Sequence, residues 1–240
     1  MTDLTLYTHP QSRGRIAHWM MEELGESYET VWLDYGTSMK APDYLAVNPM
    51  GKVPALRHGA VVVTESAAIC AYVADAFPHH RLLPQTAAER AAYFRWLFFA
   101  AGPLEQAVVA RTLGWSVPAG RGAMVGFGSY ADTLDALESG LREGPFVCGD
   151  RFTAADVYVG SSVAWGLLFG TLEKRPVFEA YAARLAARPA YVRSVHLNEL
   201  RLQTGAQWPD RQVRARPVRT WAAGIKIWGR YDHRHRRLLH

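Results

Sequence analysis

The chain has 240 residues, 49% of them hydrophobic, enough for one large domain or two modest ones with a full core. No apolar run approaches the ~20 residues that span a bilayer, the amino terminus lacks a charged stretch followed by an apolar one, and two cysteines without CxxC spacing encode neither a dithiol pair nor a thiolate metal site. The net charge of +5 hides an asymmetry: residues 211–240 carry nine Lys/Arg against one Asp, which leaves residues 1–210 at about −3. A cytoplasmic protein is the default.

Leu4-Thr5-Leu6-Tyr7 reads as a first strand and Thr8 to Ser12 as the loop after it. A helix is expected over Arg13 to Leu24, with Ile16, Met20 and Leu24 on one stripe, Trp19 beside them and Gly25 as its stop. Tyr28 to Asp34 reads as a second strand. Entered so soon after the helix, it should lie parallel to the first across a right-handed crossover. This order of elements resembles the thioredoxin fold. His9 and His18 are too scattered to form a metal site with any carboxylate pair, and Cys70 and Cys148 read as small buried hydrophobes.

Residues 35–41 form a loop that gives way to a short helix from Pro42. Asn48, Pro49 and Gly51 make a turn, Val53 to Leu56 a strand, His58-Gly59 a second turn, and Val61 to Thr64 another strand. A cis Val53-Pro54 bond would direct the amide and carbonyl of Val53 outward, free to pair with an extended peptide. Ile69, Val73 and Phe77 recur every fourth residue after Glu65-Ser66, which makes Ser66 the expected N-cap of a helix and its amides a site for a carboxylate.

Lys52-Val53-Pro54-Ala55-Leu56 followed by Glu65-Ser66 resembles the glutathione-binding half of the cytosolic glutathione transferases, and the element order agrees along roughly residues 3–205. The resemblance implies a thioredoxin-like first domain, an all-helical second domain and a homodimer. It also implies that Val53, ahead of Pro54, pairs its main chain with the cysteinyl part of glutathione, and that Glu65 and Ser66 hold the γ-glutamyl end. Lys40 and Lys52 are the cations placed to meet the glycyl carboxylate.

Glutathione reacts as its thiolate, and a thiol with a pKa near 8.5 is only a few per cent ionised at neutral pH. A hydroxyl donor at the positive end of a helix favours the anion. Four residues compete for that role. Ser12 stands at the helix start, where a plain capping role is the alternative. An ungapped alignment from Tyr7 to Gly25 with serine-type relatives puts the catalytic position on Gln11. Tyr7 matches the tyrosine of tyrosine-type members, although packing is its other reading. Arg13, with Arg15, can stabilise a thiolate or bind a carboxylate.

Pro78 closes the first unit, so the expected division is a glutathione-binding domain over 1–78, a linker over 79–86, a helical domain over 87–205 and a basic tail over 206–240. Thr86-Ala-Ala-Glu89 is a capping-box pattern opening a long helix to Leu104, with Pro103 a possible kink. Further helices suit residues 128–143, 153–169, 176–187 and 189–203, the second of these opened by the box Thr153-Ala-Ala-Asp156. In the family, the second domain's first helix walls the electrophile pocket. Tyr93, Trp96, Phe99 and Trp115 are the aromatic candidates for that wall, with a core stripe as the alternative reading.

The tail shows neither helical nor strand periodicity, so an extension without fixed structure, or an end without selected function, is favoured over a polyanion-binding patch. The overall expectation is an enzyme that activates glutathione for attack on a small apolar electrophile, with no metal or tightly held cofactor. A glutathione-dependent disulfide reductase or peroxidase, or a non-catalytic glutathione- or partner-binding protein, is the alternative. Neither membrane nor nucleic acid is an expected partner.

Overall fold

The structure, a computed structural model, describes residues 3–204. The basic tail over 206–240 lies outside the described residues. Four strands form one mixed sheet in the order β2-β1-β3-β4: β1 (Leu4–Thr8), β2 (Glu29–Trp32), β3 (Ala55–His58) and β4 (Val61–Thr64). β1 pairs parallel with β2 and antiparallel with β3, and β3 pairs antiparallel with β4.

Strand alternation sends neighbouring side chains of β1 to opposite faces. Leu4 and Leu6, with Leu56 paired opposite Leu6, face the main core with helices α1 (Gly14–Leu24) and α3 (Ser66–Ala76). Tyr7 and its partner Ala55 face a smaller cluster with Leu33, Met39 and Tyr44, the last on the one-turn helix α2 (Pro42–Leu45). α1 buries the expected stripe of Ile16, Met20, Leu24 and Trp19, and it stops at Gly25, whose φ of 75° closes a bond from its N–H to Met21 O.

From Ala87 onward the described chain is helical: α4 (Ala87–Phe99), α5 (Glu105–Leu113), α6 (Tyr130–Arg142), α7 (Ala154–Phe169), α8 (Pro176–Ala186) and α9 (Pro189–Thr204). The architecture is therefore a thioredoxin-like α/β unit followed by an all-α unit. α7 is buried along most of its length, and the main core runs without a break from Leu4 to Ala190. α1 is also tied to the last helices by charge. Arg188 forms a two-pronged bond to Glu23 at 2.6 and 2.7 Å, and Arg193 meets Glu22 at 3.0 Å.

Several boundaries and caps differ from the sequence reading. The long helix to Leu104 is interrupted: Ala100–Leu104 is a π-helical segment containing Pro103, which lacks the N–H an α-helix needs, and the chain then resumes as α5 to Leu113. The hairpin turns at Gly59, φ 58°, after His58 has paired with Val61. Ser66 is the first helical residue of α3 and not its cap; Glu65, at φ 69°, occupies the cap. Thr86 does cap α4, accepting from Glu89 N–H at 3.1 Å, but the box is not closed. Arg151 draws the Glu89 carboxylate to 3.0 Å, so it accepts from Gln85 N–H, and these bonds hold that carboxyl down at about 2.

The Thr153–Asp156 box is present and does more than cap. Asp156 accepts from Thr153 N–H and Val147 N–H, both at 2.9 Å, and from Tyr181 Oη at 2.8 Å. Burial pushes its carboxyl up to about 6, and the donated bonds limit the rise.

Candidate active site

Pairing register assembles the site. Tyr7 lies opposite Ala55 and Ala55 opposite Thr64, so the chain leaves the sheet at one end through three neighbouring segments: Thr8 onward, Val53-Pro54 and Glu65-Ser66. With strands about 4.8 Å apart, the outer two are roughly 10 Å from one another. The Val53-Pro54 bond is cis. Among the described residues, neither the N–H nor the C=O of Val53 has a hydrogen-bond partner. The carbonyl next to it is fully engaged: Lys52 O accepts from Tyr44 Oη at 2.6 Å and from Asn48 Nδ2 at 2.7 Å. These two bonds hold Val53 in place, and burial pushes the Tyr44 hydroxyl up to about 12.

In the loop before α1, Ser12 Oγ donates to His9 O at 2.7 Å and accepts from Gly14 N–H at 2.9 Å. It thereby ties down an amide of the helix's first turn. Gly14 is required there, since a Cβ at that position would sit 2.0 Å from Thr8 Oγ1. That Thr8 oxygen is itself buried and without a partner. Gln11 is exposed, and its carbonyl accepts from Tyr35 Oη at 3.3 Å. Arg13 pairs with Glu105 at the start of α5, and Arg15 with Glu199 of α9 at 3.0 Å. Tyr7 is nearly buried; its ring packs 5.5 Å from that of Tyr44, with the Arg57 guanidinium 5.3 Å from its centre.

Lys40 reaches the 50–52 turn, where its Nζ donates to Met50 O at 3.0 Å, and Lys52 is an exposed residue of that turn. Glu65 is exposed and Ser66 only 6% so, with its amide at the first turn of α3. Beneath this edge lies Tyr158 of α7. Burial pushes its hydroxyl up to about 12, and it feels the charges of Glu105, Arg13 and Glu65 together.

Two family descriptions match the chain: "Glutathione S-transferase, N-terminal domain" over residues 2–75 and "Glutathione S-transferase, C-terminal domain" over residues 85–165. Glutathione S-transferase 3 of Zea mays is 33% identical over 211 residues, covering 81% of this chain and 94% of its own. The chain belongs to the glutathione S-transferase family. Among solved structures of the family, the glutathione transferase of Methylococcus capsulatus is 30% identical with a TM-score of 0.67, covering 82% of this chain and 99% of its own. The theta class enzyme of Xanthomonas axonopodis pv. citri, solved with glutathione bound, is 32% identical with a TM-score of 0.63, covering 81% and 98%.

The aromatic wall expected for the electrophile needs correction. Tyr93 and Trp96 are 1% and 3% exposed and belong to the core. Trp96 occupies the space left by Gly140 on α6, where a Cβ would lie 1.9 Å from its Cζ2. Phe99 is half-buried against Trp96, their rings 5.2 Å apart, and Trp115 is 68% exposed. Sequence reasoning also missed Thr8, Tyr44, Asn48, Glu105 and Tyr158. Tyr44 and Asn48 sit one helical turn apart just ahead of Lys52, the only signal that they act on it together.

Proposed function

We propose that this chain conjugates glutathione to a small apolar electrophile, with Val53 pairing the cysteinyl main chain, Glu65 and Ser66 binding the γ-glutamyl end, and Lys40 and Lys52 facing the glycyl carboxylate. The observation that carries the reading is the row of Thr8, Pro54 and Glu65 at one end of the sheet, beside an unpaired Val53 main chain. Its span of roughly 10 Å matches an extended tripeptide at ~3.3 Å per residue. Of the four candidates, Ser12 best suits the thiolate, because its hydroxyl already sits at the amino-terminal end of α1, where it holds the Gly14 amide, and needs only to turn from His9 O. Gln11 offers no acidic proton, Tyr7 is packed away, and Arg13 is held by Glu105. Trp115, which is 68% exposed, and the half-buried Phe99 are the aromatic candidates left for the electrophile.

The domain division at 78 and 87 and a cytoplasmic location go with this reading. Among the described residues, no helix is long and apolar enough to cross a membrane. A homodimer is part of the proposal. Val61 and Val62 on the edge strand β4 are 50% and 40% exposed, and Phe94 and Phe98 on α4 50% and 73%, so one subunit's sheet edge can cover the other's α4.

A second reading, a non-catalytic glutathione binder, is favoured by one fact: the Ser12 proton is already donated to a carbonyl. Calorimetric titration of glutathione against the full chain, followed by assays with an aryl halide and with a mixed disulfide, separates the readings. Binding with aryl halide turnover supports conjugation. Binding with turnover of the mixed disulfide alone supports a reductase, and binding without any turnover supports the non-catalytic reading. Binding unaffected by Ser66→Ala and Glu65→Ala together overturns the assigned site.

A further inference from the structure

A second cluster of chemically capable side chains lies at the opposite end of α1, about 16 Å along the helix from the Ser12 loop. Glu26 follows the Gly25 stop of α1. His79 and His80 lie on the short 3-10 turn Pro78–His80, which leads from the first unit towards α4. Neighbouring residues usually send their side chains apart. Here both imidazoles meet one carboxylate oxygen: His80 Nε2 is 3.0 Å and His79 Nε2 3.5 Å from Glu26 Oε1, with ring centres 4.2 Å apart. A ligand atom from each of the three residues lies within 4.8 Å of the others. The backbone makes the convergence possible by reversing at Gly25 (φ 75°) and Arg81 (φ 59°), one residue outside the cluster on either side.

We propose that Glu26, His79 and His80 form a binding site for a divalent cation of the zinc type, which fastens the 78–80 turn to the end of α1. Two imidazoles and a carboxylate are the donor set such an ion takes, with metal–nitrogen and metal–oxygen distances near 2.0–2.2 Å. Ligands at tetrahedral positions around that ion stand about 3.4 Å apart, which the observed 3.0 and 3.5 Å bracket. All three side chains are reachable, with exposures of 42% for Glu26, 65% for His79 and 26% for His80, and a fourth position stays open to water. The Phe77 ring, 6.3 Å from that of His79 and stacked on His58 at 5.4 Å, backs the cluster on one side. The site touches none of the residues assigned to glutathione, so its role is structural.

The test uses the full chain stripped with a chelator and titrated with Zn2+, and separately with Co2+ to read tetrahedral coordination by visible absorption. The chain has nine histidines, including His233, His235 and His240 near its end, so the decisive quantity is the difference between the native chain and variants of the same length. The native chain is expected to take one more equivalent of Zn2+ than His79→Ala/His80→Ala, and to show a Co2+ band that the double variant lacks. Glu26→Gln keeps the side-chain shape and removes the charge, and it should weaken that equivalent at least ~10-fold. Aryl halide turnover should be the same in all three. Equal stoichiometry and affinity in the native chain and both variants would overturn the site.

Discussion

Asn198 of α9 donates from Nδ2 to Nδ1 of His18 on α1 across 3.0 Å, in a spot where both side chains are buried. The same nitrogen donates to Ser194 O at 2.7 Å, and a carbonyl can only accept, so the amide group is oriented and His18 Nδ1 must be the unprotonated nitrogen. Burial acts in the same direction and lowers the His18 pKa to about 4 from 6.5. A depressed histidine contributes stability that is complete above the unfolded value and is lost as the pH falls towards the folded one. The stability difference between the native chain and His18→Gln should therefore change by on the order of 3 kcal/mol between pH 6.5 and 4, with the native chain losing more. Urea unfolding at a series of pH values measures it, and parallel curves would refute the buried neutral histidine.

Ser12→Ala removes the acceptor for Gly14 N–H and, on the reading above, the thiolate's donor. Losing that hydrogen bond costs ~1 kcal/mol of stability. A lost bond to a charged group costs ~1.5–3 kcal/mol, which corresponds to about 10- to 100-fold in kcat/KM for an aryl halide and a raised apparent thiol pKa in the pH profile. Ser12→Thr should recover most of the rate. A Ser12→Ala enzyme that loses stability but keeps its rate and pH profile would leave Ser12 only the role of holding the Gly14 amide.

Gly140→Ala would normally help a helix by ~0.5–1 kcal/mol. Here the added methyl meets the rigid Trp96 ring at 1.9 Å, so we expect a net loss of about 1–3 kcal/mol. Trp96→Leu in the same chain should recover part of it, a coupling that a double-mutant cycle by thermal unfolding would expose. Strict additivity would show that the two positions do not compete for space.

Tyr181→Phe removes one donor from the buried Asp156 carboxylate and should cost about 1–3 kcal/mol at neutral pH. The Asp156 pKa, already raised to about 6 from 3.8, should rise further. A raised carboxyl contributes stability below its unfolded value that is lost as the pH climbs through the folded one, so the variant's penalty should shrink as the pH falls from 7 towards 4. A penalty that stays constant over that range would point to lost packing.

Local pattern made much of the fold legible. Ile16, Met20 and Leu24 announce α1, the run Val61 to Thr64 announces β4, and Gly25 marks a stop whose left-handed φ needs no partner elsewhere to explain it. Two of the misreadings fall where distant residues intervene. Arg151 pulls Glu89 out of its box from 62 positions away, and Gly140 turns Trp96 into core.

The sequence by itself determined most of the element order, the capping of α4 and α7, and the motif residues around Pro54 and Glu65, because these depend on neighbours a few positions apart. Only the tertiary structure decided which of them meet. The register of three strands set Thr8, Pro54 and Glu65 in one row, the packing of α4 against α7, with the Trp96 ring filling the space at Gly140, buried Tyr93 and Trp96, and a linker folded back on α1 brought two histidines to Glu26, more than 50 residues earlier. Such contacts rest on burial and chain crossing, which are properties of the whole molecule and leave no periodic trace in a local stretch of it.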